Sequence, residues 1–231
     1  MTPILDIQIE AHSYDSILAL QDCHFNIPKN SLYAIIGPNG GGKSTLLKLI
    51  AGLMPATKGR IKNSIPPEKI AYLPQSTSID RTFPLHVEDV VAMGLWPQSG
   101  IFKGMKLSIR HQISQALDRV GLTDFEHRSL EALSGGQLQR LFFARVITQN
   151  ASLILLDEPF TGIDQPTTKE LMGLIMEWIS QGKTVIAVLH DINMVQTHFP
   201  QAALIARTLI AHGPTEQVLT PENFTKAIFN V

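Results

Sequence analysis

Gly37-Pro38-Asn39-Gly40-Gly41-Gly42-Lys43-Ser44, with Thr45 directly behind it, is the stretch from which the rest of the chain can be read. It has the form G-x-x-x-x-G-K-S. Tyr33-Ala34-Ile35-Ile36 ahead of it is an apolar run suited to a buried strand, and Leu46-Leu47-Lys48-Leu49-Ile50-Ala51 behind it suits a helix. That strand, loop and helix order gives the pattern its physical meaning. Glycines let consecutive backbone N–H groups turn inward with no Cβ in the way, and the start of the helix adds a field that favours anions. Lys43 can then reach the β- and γ-phosphates of a nucleotide, and the Ser44 hydroxyl can ligate Mg²⁺. A glycine-rich turn with an incidental lysine is the competing reading, which the flanking elements disfavour. The loop implies nucleotide binding but not its purpose.

At 231 residues the chain suits one large domain, or a core with one inserted subdomain. Nineteen basic against 20 acidic residues leave a formal charge of −1, so bulk electrostatics give no case for a nucleic-acid partner. The single cysteine, Cys23, excludes an internal disulfide framework and suits a reducing compartment, where it reads as a small buried hydrophobe. Residues Met1 to Glu10 lack a basic start followed by an apolar block. No apolar run approaches the ~20 residues of a membrane helix. A soluble, cytoplasmic chain is expected, with any membrane role supplied through a partner.

Further along, Leu5 to Glu10 alternates as a half-exposed strand. Tyr14 falls in the polar turn His12–Ser16, and Leu18 to Ile27 reads as a second strand ending at Pro28-Lys29-Asn30. Gly52 closes the helix after the phosphate loop, and Pro55 to Gly59 reads as a loop. Ile70 to Gln75 looks like a short strand leading to an exposed glutamine. From about Val87 the texture is helical. Val87, Val90, Val91 and Leu95 share a face, a loop spans Pro97 to Gly104, and Ile109 to Val120 is a helix with Ser108 as N-cap and Gly121 as stop. This insert runs to about Val146. Leu153-Ile154-Leu155-Leu156, Thr184 to Leu189 and Ala202 to Ala206 then read as strands of a parallel sheet, and the stripe Leu171, Leu174, Ile175, Trp178 and Ile179 as a helix stopped by Gly182.

Asp157-Glu158 follows the strand Leu153–Leu156 directly, at the carboxyl end where open α/β sheets place ligands. Asp157 fits a role in holding Mg²⁺ and Glu158 one in polarising an attacking water as general base. A strand-end acidic pair can also simply cap the next loop; the phosphate loop upstream favours the catalytic reading. Leu133-Ser134-Gly135-Gly136-Gln137 precedes a second helical run and offers another helix start with bare N–H groups and a hydroxyl.

Taken in order, Gly37–Ser44, Gln75, Leu133–Gln137, Leu155–Glu158, Gly162-Ile163-Asp164 and His190 resemble the nucleotide-binding domain of ATP-binding cassette (ABC) proteins over nearly the whole chain. The resemblance implies an α/β fold: a P-loop NTPase (RecA-like) core, residues 1–84 and 147–231, with a mainly helical subdomain, 85–146, and an N-terminal antiparallel β portion. It implies an ATPase that uses ATP and Mg. Tyr14 would stack on adenine, Gln75 would sense Mg²⁺ and water, and Asp164 would sit at a subunit contact. His190 would contact the γ-phosphate and orient Glu158. Ser134, Gly135, Gly136 and Gln137 would close on nucleotide held by a second copy of the chain. Permease subunits would dock near Gln75 and the helical subdomain, on the cytoplasmic side of the cell membrane, with an extracytoplasmic binding protein completing an importer.

The segment from Asp80 to Gly94 is similar to that of zinc and manganese importers, as are Ala211-His212-Gly213-Pro214 and Leu219-Thr220-Pro221-Glu222-Asn223. Importers of haem, cobalamin and iron chelates share much of this texture and form the second reading. A soluble non-transport ABC protein is the third, disfavoured because such proteins usually carry two cassettes or a long coiled coil. His12, His24, His86, His111, His127, His198 and His212 show no metal-ligand spacing, so the only ion expected on this chain is the Mg²⁺ that accompanies ATP.

Overall fold

A computed structural model describes residues 3–75, 80–96 and 107–230. The chain opens with an antiparallel hairpin, β1 (Pro3–Tyr14) and β2 (Ile17–Pro28). β3 (Leu32–Ile36) and α1 (Lys43–Ile50) bracket the phosphate loop, and β4 (Lys58–Asn63) returns to the other edge of β1 to complete a sheet of order β2-β1-β4. β5 (Ile70–Leu73) begins the second sheet. The helices α2 (Val87–Met93), α3 (Leu107–Arg119) and α4 (Gly135–Gln149) follow. Then come β6 (Leu153–Asp157), α5 (Gln165–Ser180), β7 (Thr184–Val188), α6 (Ile192–His198), β8 (Gln201–Ala206) and β9 (Thr208–Pro214). Two short helices, α7 (Thr215–Val218) and α8 (Pro221–Phe229), end the described chain.

The second sheet has six strands in the order β5-β6-β7-β3-β8-β9, parallel except for the β8–β9 pair. Its central strands are continuous apolar runs because both faces are covered. Alternation still decides which side chain goes where. Leu32, Ala34 and Ile36 of β3, with Ile154 and Leu156 of β6, join one core beneath the helices α2 to α5. Tyr33 and Ile35, with Leu153 and Leu155, join a second core, where α1 and the three-stranded sheet cover the opposite face through Leu46, Leu47, Ile7, Ile9 and Phe25. The phosphate loop therefore leaves the sheet with a packed core on each side.

Several boundaries differ from the sequence reading. Tyr14 is the last residue of β1, paired with Ile17, so the turn shrinks to Asp15-Ser16; pairing with β2 extends the strand into residues that look like a polar loop. Lys58 and Gly59 belong to β4 because they pair with Ala11 and Ile9. Ser108 lies inside α3, which is already helical at Leu107, and so does not cap it. The expected loop Pro97–Gly104 lies outside the described residues. α4 begins at Gly135, and its last residue, Gln149, has an Nε2 that donates to Ile70 O at 2.7 Å and ties the helix to β5. His212 and its neighbours Ala211–Pro214 form part of β9, and Thr220 caps α8 by accepting a hydrogen bond from Asn223 N at 3.3 Å.

The α2–α4 contact depends on the absence of one side chain. Gly94, just past α2, lies so close to α4 that a Cβ there would meet Thr148 Oγ1 at 2.1 Å and Arg145 O at 2.4 Å. Thr148 Oγ1 also donates to Val91 O at 2.9 Å, so the two helices are clamped at this point. Gly173, exposed in α5, has nothing within 4 Å of the same virtual atom. Gly94→Ala is predicted to cost about 1–3 kcal/mol through overpacking. Gly173→Ala is predicted to be neutral or to stabilise by up to about 1 kcal/mol through helix propensity. Thermal unfolding of the two variants checks this contrast; equal midpoints contradict it.

Candidate functional site

The parallel strands bring their carboxyl ends to one edge, and four of them lead into residues singled out above. β3 leads into the phosphate loop, β5 into Gln75, β6 into Asp157-Glu158 and β7 into Leu189-His190. Gly37 has φ 146°, and a Cβ there would lie 1.8 Å from Ile205 O of β8; Gly42, at φ 90°, would place one 2.5 Å from Ala19 O of β2. Glycine is required at both by the close approach of neighbouring backbone. Asn39 and Gly40 at the tip are exposed.

α1 starts at Lys43 with no side-chain cap and no acidic residue in its first turn, which leaves its first N–H groups for an anion. Lys43 is only 6% exposed, and its Nζ donates to Gly37 O at 3.0 Å and Pro38 O at 2.8 Å. Burial lowers its pKa from the ordinary lysine value, opposed by the carboxylates of Glu158 and Asp157. The ammonium is thus held over the loop by carbonyls that a phosphate can replace.

Ser44 Oγ donates to Asp157 Oδ1 at 2.9 Å, and Tyr72 OH donates to Asp157 Oδ2 at 3.2 Å. Asp157 is 2% exposed, and burial raises its carboxyl above the ordinary aspartate value against the lowering effect of those two hydroxyls. A hydroxyl and a buried carboxylate side by side are hard oxygen donors, suited to Mg²⁺ that brings phosphate and water as its remaining ligands.

Glu158 stands in the left-handed region at φ 50°, a conformation that costs a non-glycine residue and is held by its surroundings. Its N–H donates to Val188 O at 3.2 Å. Its Oε2 accepts from Gln75 Nε2 at 2.8 Å and from Thr161 Oγ1 at 3.2 Å, and its Oε1 lies 2.6 Å from His190 Nε2. The carboxylate therefore joins three strand ends through polar side chains. Tyr14, 42% exposed, hangs over the start of α1 with its hydroxyl 3.5 Å from Thr45 Oγ1 and 3.3 Å from Met54 Sδ.

Ser134 caps α4. Its Oγ accepts from Gln137 N at 3.2 Å while Gln137 Oε1 accepts from Ser134 N at 3.0 Å. Asp164 caps α5 by accepting from Thr167 N at 3.1 Å, and hydrogen bonds from the Thr167 hydroxyl and N–H hold its carboxyl below the ordinary value. These two helix starts are neighbours: a Cβ on Gly135 would lie 3.6 Å from Gly162 O. Among the described residues no hydrogen bond joins Ser134–Gln137 to Lys43, Ser44, Asp157, Glu158 or His190. The chain thus presents two separate groups, one around the phosphate loop and one at the start of α4.

A model of the ABC transporter family matches residues 20–161, more than half of the chain. The chain belongs to the ABC transporter family. Among curated relatives it is similar to the manganese transport system ATP-binding protein of Listeria innocua, 40% identical over 223 residues, which are 94% of this chain and 93% of the relative. The protein of the same description from Bacillus subtilis is 41% identical over 219 residues, 93% of this chain and 88% of the relative. Among solved structures it is similar to one described as a metal-chelate type ABC transporter in an inward-facing conformation, with 30% identity and a TM-score of 0.85 over 99% of this chain and 90% of that one. The fold is that of the ABC ATPases, a P-loop NTPase with the antiparallel β portion packed on its parallel sheet.

Two residues of this cluster are not apparent in the sequence. Tyr72 supports Asp157 and Thr161 supports Glu158. The signal for Tyr72 is strand parity, which aims it to the side of the sheet that carries α1; Thr161 gives only its position three residues after Glu158.

The raised carboxyl of Asp157 has a definite consequence. Above its folded-state pKa the group is ionised in folded and unfolded chains alike, and the burial penalty is fully present there. Asp157→Asn is predicted to raise the thermal stability of the metal-free, nucleotide-free chain at about pH 7–8. The gain should fade as pH falls to about 4 and below, where the wild-type carboxyl becomes protonated in both states. A lower midpoint for Asp157→Asn across that range contradicts the assignment.

Proposed function

We propose that the chain is the ATP-hydrolysing subunit of an ABC importer whose cargo is a divalent metal cation, manganese or zinc. The observation that carries the catalytic reading is the Glu158 carboxylate, held 2.8 Å from Gln75 and 2.6 Å from His190 beside the phosphate loop. In this reading Gly37, Pro38, Asn39, Gly40, Gly41 and Gly42 wrap the phosphates with backbone N–H groups, and Lys43 exchanges its carbonyl partners for β- and γ-phosphate oxygens. Thr45 and Tyr14 line the side towards the nucleoside, with Tyr14 stacked on the adenine. Ser44, Asp157 and Gln75 hold Mg²⁺, which neutralises phosphate charge when bound. Glu158 accepts a proton from the attacking water, and His190 keeps the carboxylate oriented towards the γ-phosphate.

The phosphate loop lies at an open edge, with Asn39 and Gly40 exposed, and such chemistry needs water excluded. A second copy supplies the cover in this reading. Its Ser134, Gly135, Gly136 and Gln137 approach the γ-phosphate with a helix start, and Asp164 lies at the contact between copies. The two ATPs are sandwiched head to tail, and loss of the γ-phosphate removes the attraction that closes the dimer. Residues 85–146 act as the helical subdomain that meets the permease near Gln75, while 1–84 and 147–231 form the nucleotide-binding core.

The manganese description of relatives at 40% and 41% identity supports the metal cargo. The structure described as metal-chelate type, at 30%, is the one observation in favour of a chelate instead. No helix among the described residues is long and apolar enough to cross a membrane, so the path for cargo is assigned to permease subunits, with this chain peripheral on their cytoplasmic side. An extracytoplasmic binding protein completes the proposed system.

Cells whose only copy carries Glu158→Gln are predicted to lose manganese or zinc accumulation, while the purified variant still binds MgATP and turns it over roughly 10²–10⁴-fold more slowly than wild type. Metal content by mass spectrometry, paired with an ATPase assay, checks both parts. Normal metal accumulation with lost haem or cobalamin uptake overturns the cargo, and wild-type turnover removes Glu158 from its role.

A further inference from the structure

β1 keeps strict alternation from Leu5 to Ile9 and then breaks it. Leu5, Ile7 and Ile9 face the core at odd positions, whereas His12, at an even position, is only 5% exposed. The cause is a bulge: Ile9 pairs with Gly59 of β4 and Ala11 with Lys58, so Glu10 is an extra residue on β1. One inserted residue reverses the parity of everything after it. His12 is thereby turned inward, and Tyr14, two residues on, follows it on the same side at the strand end.

The two rings meet there. Their centroids are 5.2 Å apart and their planes cross at 84°, an edge-to-face pair. His12 Nδ1 lies 3.4 Å from Thr57 Oγ1, which also accepts from Ser13 N at 3.3 Å. His12 Nε2 is buried with no hydrogen-bond partner among the described residues. A polar ring kept for hydrogen bonding would have both nitrogens satisfied. What this ring does provide is a wall against Tyr14, whose own hydroxyl is tethered among the described residues by contacts of 3.5 Å to Thr45 Oγ1 and 3.3 Å to Met54 Sδ.

We infer that His12 is a positioning residue for nucleotide binding: re-aimed by the Glu10 bulge, its ring, crossed at 84° against Tyr14, fixes the Tyr14 ring in the orientation that stacks on the base. This role rests on the proposal above that Tyr14 stacks on adenine. It adds a determinant of base affinity that touches neither phosphate nor metal.

Calorimetric titration of the purified chain with MgADP tests it, since ADP carries the base and undergoes no turnover. The set is wild type, Tyr14→Ala, His12→Ala, His12→Phe and the Tyr14→Ala/His12→Ala double variant. Loss of a base stack is expected to weaken ADP about 5-fold or more in Tyr14→Ala. His12→Ala is expected to weaken it about 3- to 10-fold, yet by less than about twofold when Tyr14 is already alanine, because the two act as one unit. His12→Phe keeps an aromatic ring against Tyr14 and is expected to stay within about twofold of wild type. If Tyr14→Ala weakens ADP but His12→Ala does not, the positioning role is overturned and the stacking reading stands. Equal effects of His12→Ala with and without Tyr14, or a His12→Phe variant as weak as His12→Ala, overturn it as well. Unchanged affinity in Tyr14→Ala removes the stacking reading and the role of His12 with it.

Discussion

Parallel pairing among β5, β6, β7 and β3 is the constraint on which the site depends. Each pairing puts a carboxyl end beside the next, so four loops distant in sequence open at one edge. In register, Ile154 of β6 is matched to Ala71 and Val185 and buried with them in the core under the helices. A slip of one residue in β6 would send Ile154 and Leu156 to the opposite face and carry Asp157 away from Ser44 and Tyr72. The apolar cores on both faces therefore set the site's geometry before any polar contact forms.

Polar contacts then make that edge a single unit. Ser44 of α1 and Tyr72 of β5 both donate to Asp157 of β6, while Gln75, Thr161 and His190 converge on Glu158. Lys43 is occupied by carbonyls of its own loop and Glu158 by its neighbours. Buried charge of this kind is costly unless partnered, which is why the acidic pair and the lysine are so fully engaged. Nucleotide binding, in the proposed reading, trades these internal partners for phosphate, metal and water.

The fold's α/β character, its buried strands and the phosphate loop are legible in the sequence because each rests on local pattern: apolar runs of strand length, glycines at fixed offsets and acids at a strand end. Tyr14 reads as a turn residue, yet strand pairing with β2 overrides the polar appearance of His12–Ser16. The inward turn of His12 is invisible in the sequence for a similar reason, since the bulge arises from pairing with β4, far along the chain. Ser108 looks like a helix cap, but α3 is helical one residue before it. Tyr72 and Thr161 carry no local signal that names a partner; only the packed sheet brings them to Asp157 and Glu158.

In the proposed reading the phosphate loop and the start of α4, which no hydrogen bond joins among the described residues, complete each other between two copies. Mixing purified Lys43→Ala and Ser134→Arg chains and measuring ATP hydrolysis separates a shared site from two self-contained ones. Each variant alone spoils both sites of a symmetric dimer, whereas a mixed pair contains one site with an intact Lys43 from one copy and an intact Ser134 from the other. Hydrolysis, absent from either pure variant, is expected to return on mixing; a mixture as inactive as its two components rules out a site shared between copies.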